Sequence, residues 1–347
     1  MDFKQDMMER FSHRIPDPSK MRLVHISGEF PPVLNPFIND GVVIKAAGVP
    51  GEVPHSKWIV AYWGILDGID KGLIGPDTRI IEATSGNTGD ALAVICNALD
   101  IPLTAVMSGD VPQEKINAIR VLGRRNSIQL LFDSSETTVE YARRLGAQEG
   151  WYNPCQYDGV WNPEAHYRYL APQLWAQQSK ISILFTPGGT MGTSMGLKMY
   201  AFENWLDTTV IPVLCAEGYE VPGARTLISV EKDVRQQWTK FFAKEDLELG
   251  TRHASFYLSF LTWPYVLQKL GPSFGLGFAG ALRFLQRHKN ARTLDQFRDK
   301  EDGKIYVVVF GPDDCRPYIS LYMGELDRKK ELQAEAPPSD LLSILEK

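Results

Sequence analysis

From residue 42 onward the chain alternates short apolar runs with longer amphipathic ones, and this alternation constrains its fold more than any other feature. VVIKAAG (42–48), RIIEAT (79–84), LTAVMS (103–108) and SIQLLFD (127–133) read as strands. Helical patterns over 56–72, 89–100, 112–123 and 136–148 separate and follow them. Strands interleaved with such helices predict βαβ units and a parallel sheet. A second series has strands at 181–187, 210–218 and 304–312 and a helix at 191–206. KIYVVVFGP (304–312) is almost entirely β-branched or aromatic, as a strand buried on both faces requires. Between 219 and 303 the pattern is mostly helical and less regular. A length of 347 residues fits about two such units. The fold expected is therefore α/β, with two open parallel-sheet domains and a ligand site in the cleft between them.

Composition removes several classes of function. Apolar residues at 44% and charged residues at 23% exclude a largely disordered chain. Lys and Arg number 37 against 42 Asp and Glu, a net charge of −5, which leaves no basic footprint for nucleic acid or a membrane surface. An acidic chain can still bind phosphate locally. No run is apolar enough to span a bilayer, and MDFKQDMMERFSHR at the start does not read as a signal peptide. Cys96, Cys155, Cys215 and Cys315 form no CxxC pair, so no metal site is expected, and the cysteines read as free thiols in the cytoplasm.

Two turns carry chemistry. TSGNTG, Thr84 to Gly89, joins a strand to a helix. Its glycines allow close backbone approach, and Thr84, Ser85, Asn87 and Thr88 set polar groups beside a helix N-terminus. That suits an anion such as a carboxylate, although the same residues also make an ordinary capped turn. TPGGTMGTS, Thr186 to Ser194, again joins strand to helix and could cup a phosphate with backbone N–H groups. It lacks the lysine of a P-loop and the spacing of a dinucleotide fingerprint. Both turns fall at the C-terminal ends of expected strands, where open parallel sheets bind ligands.

IIEATSGNTGDALA resembles the cysteine synthase and cystathionine β-synthase family, fold-type II enzymes that use pyridoxal phosphate. Five further segments resemble the family, in its order. VPHSKWIVAY places Lys57 thirty residues before Asn87, at the family spacing of its Schiff-base lysine. The run from Gln156 to His166 resembles Q-F-x-N-P-A-N-P-x-x-H. Thr186-Pro187-Gly188-Gly189-Thr190 resembles the phosphate loop G-T-G-G-T. Gly271 to Leu276 resembles G-I-S-S-G-A, and Gly311 to Tyr318 resembles L-P-x-S-x-R-x-Y. The likeness covers about residues 20 to 325.

The resemblance implies a tryptophan synthase β-like architecture with the cofactor between domains. It implies a smaller, mobile domain over 46–160 carrying TSGNTG. A larger one over 1–45 and 161–328 would carry the phosphate loop, with a loose tail over 329–347. Lys57 is then the catalytic residue, holding pyridoxal 5'-phosphate and moving the proton at the substrate Cα. Asn87 would meet the ring hydroxyl, and Thr186, Gly188, Gly189, Thr190 and Thr193 the phosphate. Thr84, Ser85, Gly86, Thr88 and Gln156 would grip a substrate carboxylate. His166 and Ser56 are expected to be structural or orienting.

Three departures stand out. Thr186-Pro187 replaces Gly-Thr in the phosphate loop, and Pro187 can donate no N–H. Asp314, or Asp313 one residue earlier, stands where the family has a Ser or Thr facing the pyridine nitrogen. There an aspartate would strengthen the electron sink, while at a helix start it would serve as a cap. The family's GIGAGF segment has no visible counterpart before EGYEVPGARTLISV and RHASFYLSFLTWPY, so Tyr219, Arg225, His253, Tyr257 and Trp263 are candidates for a bulkier pocket. The expected reaction is β-elimination or β-replacement on a small α-amino acid through an aminoacrylate, with a second nucleophilic substrate in the latter case. The alternatives are carbanion chemistry supported by Asp314 (racemisation, C–C cleavage, γ-chemistry or ring opening) and a catalytically idle binding homologue. The resemblance also implies a homodimer.

Overall fold

Ten strands in two sheets position everything that follows. The computed structural model describes residues 2–332, apart from 52, 54, 85, 110, 112, 123–125, 133–135 and 236. In chain order the strands are β1 (His25–Ile26), β2 (Val42–Gly48), β3 (Arg79–Ala83), β4 (Leu103–Ser108), β5 (Asn126–Leu131), β6 (Trp151–Tyr152), β7 (Ile183–Pro187), β8 (Thr209–Cys215), β9 (Glu248–Gly250) and β10 (Ile305–Gly311). One sheet has the order β1-β2-β10-β7-β8-β9 and the other β5-β4-β3-β6. All pairings are parallel except that of β1 with β2. The seven strands and five helices expected from the alternation all form, with ends shifted by a few residues.

Parallel strands need crossovers, and the helices Asn87–Leu99, Gln113–Val121, Thr138–Gly146 and Gly192–Glu203 supply them, while Lys57–Asp70 leads from one sheet to the other. The helix Pro272–Asn290 covers the larger sheet, burying Phe274, Phe278 and Leu282 against Ile183, Phe185, Val307 and Val309. The smaller sheet buries Ile80, Ile81, Ala105 and Val106 against Ile59, Ile65 and Leu92 of its helices.

Three parts of this architecture fall outside the sequence expectations, while the 219–303 segment is mostly helical as expected. A helix at Phe3–Arg14 buries Met7 and Phe11, four residues apart on one face. The short strands β1, β6 and β9 extend the sheet edges. A continuous helical run from Trp161 to Gln177 contains a π turn at His166–Leu170. The 219–303 segment resolves into the helices Leu227–Asp233, Arg252–Thr262 and Pro272–Asn290 with short 3₁₀ turns.

Registry brings the active loops together. β10 runs alongside β2 so that Gly311 pairs with Gly48, ending both strands at the same level. The segment after β2 leads to Lys57, and the segment after β10 begins Pro312-Asp313. The Ser56 N–H then donates to the Pro312 carbonyl at 2.8 Å, tying the two exits. The loops after β3, β7 and β8 open on the same side, as the C-terminal edges of parallel strands do.

Candidate active site

Lys57 is the first residue of its helix, and its side chain enters a cavity lined by the loops after β2, β3, β6, β7, β8 and β10. Its Nζ donates to the Thr190 hydroxyl at 3.3 Å. Burial lowers the Lys57 pKa to about 8, against an opposing pull from the Glu82 carboxylate. Its helix N-terminus also disfavours a cation. With a pKa of about 8, an appreciable fraction of the amine is neutral near physiological pH and can act as nucleophile and as base. Glu82, on β3, is itself buried, which pushes its carboxyl up to about 8 although the Gln156 N–H donates to it.

The loop after β3 is built on one hydroxyl. Thr84 Oγ1 accepts the N–H groups of Gly86 and Gly89, both at 3.0 Å, capping the turn into the helix Asn87–Leu99. Gly86 sits at a φ of 146°, which a side chain would resist. Ser85 lies outside the described residues. Thr88 Oγ1 donates to Gln156 Oε1 at 2.7 Å, and Gln156 Nε2 donates to the Ala83 carbonyl. Thr88 and Gln156 thus reach the cavity as a pair, while Thr84 supports the turn from behind.

The loop after β7 is held as tightly. Asn162 Nδ2 donates to Thr190 Oγ1 at 2.9 Å, so this hydroxyl accepts from both Asn162 and Lys57. Gly189 faces the carbonyl of Gly223, which a Cβ would meet at 2.7 Å. Gly189 and Thr190 line the cavity, and Gly188 docks its carbonyl on the Arg225 N–H. Two expected loop residues turn elsewhere. Thr186 is the penultimate residue of β7 and bonds Ser194 at 2.7 Å in the interior. Thr193 meets His166 Nε2 at 3.1 Å, and burial, followed by the charge of Lys57, drives the His166 pKa well below its ordinary value.

The two aspartates after β10 separate cleanly. Asp313 is 3% exposed and lines the cavity. Its Oδ2 accepts from Asn87 Nδ2 at 3.0 Å and from Tyr318 OH at 2.7 Å, and its Oδ1 accepts from Ser273 Oγ at 2.8 Å. Asp314 points away. It accepts from Gln268 and from the Arg316 N–H and guanidinium, and caps the turn Arg316–Tyr318. The alignment that placed Asp314 in the site is therefore off by one, because consecutive residues here leave the chain on opposite sides.

The sequence reading assigned no role to Tyr157, Ser273 or Tyr318. Tyr157 and Tyr318 line the cavity, while Ser273 reaches it through Asp313. Tyr157 and Tyr318 each stand in a matched motif, at its second and last positions, and Ser273 in another, so the signal was present. Of the five candidates in the divergent segment, only Arg225 lines the cavity, beside Gly223 and Ala224. His253 stacks on Tyr257 along the helix Arg252–Thr262, Trp263 packs on Tyr322, and Tyr219 is 47% exposed.

A family profile described as Pyridoxal-phosphate dependent enzyme matches residues 57–285. Cysteine synthase B from Escherichia coli (strain K12) is 28% identical over 268 residues, covering 72% of this chain and 82% of that protein. Cystathionine beta-synthase from Apis mellifera is 36% identical over 145 residues, 40% of this chain and 28% of that one. The solved O-acetylserine dependent cystathionine beta-synthase from Helicobacter pylori shares the fold. It has a TM-score of 0.69 and 21% identity, with 92% of this chain and 97% of that one covered. With the profile covering most of the chain, Lys57 and the loops after β3, β7 and β8 included, the chain belongs to the family of pyridoxal-phosphate dependent enzymes.

Proposed function

We propose that the chain catalyses β-elimination or β-replacement on a small α-amino acid, with Lys57 as its catalytic residue. The observation that carries this reading is a buried amine of lowered pKa in a cavity ringed by six strand-end loops. The residues present fit pyridoxal 5'-phosphate. A Gly-Gly turn that leaves no room for a Cβ suits a phosphate, and a three-donor carboxylate suits a ring nitrogen.

Lys57 would hold the cofactor, with Asn87 at the ring hydroxyl, Gly188, Gly189 and Thr190 at the phosphate and Asp313 at the ring nitrogen. The bound group supplies an electron sink for charge developing at the substrate Cα. Thr88 and Gln156, with the turn at 84–89, would orient the substrate carboxylate. Lys57 Nζ would remove the Cα proton and hold it for the departing β-substituent. The Thr190 hydroxyl, fixed by Asn162, would position Nζ. The segment 46–160, which carries TSGNTG, would close on the substrate and exclude water.

A second reading follows from Asp313. A carboxylate at the ring nitrogen would deepen the electron sink and favour carbanion chemistry that spares the β-substituent.

The test is spectroscopic and chemical. The purified protein should show a visible cofactor band that borohydride fixes onto Lys57 and that Lys57→Ala lacks. It should release a 2-oxo acid and ammonia from a β-substituted amino acid, or form a new amino acid when a thiol is added. Exchange of the α-proton with deuterated solvent without loss of the β-substituent would favour the second reading. A protein that takes up no cofactor would leave a binding role instead.

A further inference from the structure

The cavity holds a cation that the proposed chemistry does not use. Arg225 lies in the loop after β8, where its N–H donates to the Gly188 carbonyl and its carbonyl accepts from the Cys215 N–H, both at 2.9 Å. The backbone is thus clamped between β8 and the glycine turn. The side chain leaves this anchor toward the opposite wall. Its Nη2 donates to the Tyr157 hydroxyl at 3.0 Å, and its guanidinium lies over the Tyr157 ring at 4.6 Å. Its Nη1 is held by Asp233.

These contacts leave three of the five guanidinium N–H groups without a partner among the described residues. The side chain is 24% exposed, and Arg225 is one of the residues lining the cavity. The surroundings are charge-balanced. Asp233 pairs with Arg225, Asp158 pairs with Arg143, and Arg143 also donates to the Asp233 carbonyl. Asp233 and Tyr157 therefore fix the fork in place at the wall of a cavity that Gln156 and Tyr157 also line. A planar fork so presented matches an oxyanion, and Arg is suited to this because it is always charged and preorganised.

We propose that Arg225 receives a second anionic group on the substrate, so that the preferred amino acid carries a carboxylate or a phosphate ester on its side chain. This rests on the reading of the cavity as an amino-acid site. Thr88 and Gln156 mark the α-carboxylate end, and Arg225, reaching Tyr157 next to Gln156, marks the side-chain end. A neutral side chain would leave the guanidinium donors to water alone.

The test is the shift of the cofactor band on titration of the holoenzyme with O-phospho-L-serine, L-aspartate, L-serine and O-acetyl-L-serine. The parent should bind the two acidic amino acids at least tenfold more tightly than L-serine. Arg225→Gln should collapse that ratio to about one, a loss of at least tenfold, the size of one charge-assisted hydrogen bond. Arg225→Lys, which keeps the charge and loses the fork, should lose part of it and covers the case in which Arg225→Gln does not fold. Cofactor retention on dialysis is measured alongside. A parent that binds neutral amino acids with no acidic preference overturns the proposal and leaves the catalytic reading standing. Variants that shed the cofactor while keeping the parent's ratio also overturn it, because Arg225 would then serve the cofactor phosphate. A parent with no cofactor band overturns the catalytic reading itself. Calorimetric titration with the same four amino acids then decides Arg225 separately, and equal affinities there overturn it too.

Discussion

The Tyr318 hydroxyl and the Asn87 amide converge on one oxygen of Asp313, at 2.7 and 3.0 Å, while the Ser273 hydroxyl holds the other at 2.8 Å. A buried carboxylate with three donors is held in one position, because moving it would leave those donors unpaired. Tyr318→Phe removes one donor and leaves the others. It should lower kcat/KM roughly 10- to 100-fold, the range of a hydrogen bond to a charged group. Asp313→Asn sets a second amide against that of Asn87 and should cost more. Asp314→Asn, whose parent side chain serves Gln268 and Arg316 outside the cavity, should cost less than threefold. Equal losses at 313 and 314 would contradict this assignment.

Lys57 predicts an unusual dependence of stability on pH in the cofactor-free protein. Its folded-state pKa of about 8 lies below the ordinary lysine value, so the folded state resists protonation of this amine. The cost is complete below about pH 8 and fades as pH rises toward 10.5. Lys57→Met should therefore be more stable than its parent at pH 7, by roughly 2–3 kcal/mol, with the gain gone near pH 10.5. Urea unfolding of both proteins, freed of cofactor, at pH 7, 9 and 10.5 measures it. A variant no more stable than its parent at pH 7 would show that Lys57 is solvated.

Glu82 predicts the opposite window. Its carboxyl, raised to about 8 by burial, binds a proton in the folded state that the unfolded chain releases near pH 4.5. Stability is then lost as pH rises from 4.5 to 8. Glu82→Gln imitates the protonated form and keeps an acceptor for the Gln156 N–H. It should be the more stable protein at pH 7, by roughly 1–3 kcal/mol, and the difference should vanish toward pH 4.5. Thermal melts at three pH values in that range decide it.

The parts of the fold that were legible in the sequence are those governed by local rules. Strand and helix alternation located seven strands because buried parallel strands are continuously apolar and their crossovers are amphipathic. Lys57 and Asn87 were legible through the resemblance of their motifs and the thirty residues between them, since a lysine at a helix start alone reads as a surface charge. What was not legible depends on partners far along the chain. Asp313 and Asp314 are chemically identical neighbours, and only the tertiary placement of Ser273 and Asn87 selects the first. Thr186 looked like a phosphate donor until Ser194 drew its hydroxyl inward. Arg225 came from a segment with no pattern to read, and its meaning comes from Tyr157, sixty-eight residues away. The helix Phe3–Arg14 carries only four apolar residues in a polar run and buries two of them, Met7 and Phe11.

The approach of Gly189 to Gly223 gives the last prediction. A Cβ on Gly189 would sit 2.7 Å from the Gly223 carbonyl, and that oxygen belongs to backbone clamped by the bond from Arg225 N–H to Gly188. No side-chain rotation can relieve such a clash, so Gly189→Ala must part the loop after β7 from the loop after β8. The parting displaces Thr190, on which Lys57 and Asn162 both depend. Gly189→Ala should therefore bind pyridoxal 5'-phosphate on the order of 100-fold more weakly while the protein remains folded, because both loops lie at the cavity and not in the sheets. Gly28→Ala, where a Cβ meets nothing within 4 Å, is the matched control and should bind like the parent. Equilibrium dialysis with the free cofactor, beside thermal melts of all three proteins, measures the contrast. If Gly189→Ala binds the cofactor as tightly as Gly28→Ala, the Gly-Gly turn is not the phosphate seat. The excess anion-binding capacity of the cavity would then have to be sought at Arg225.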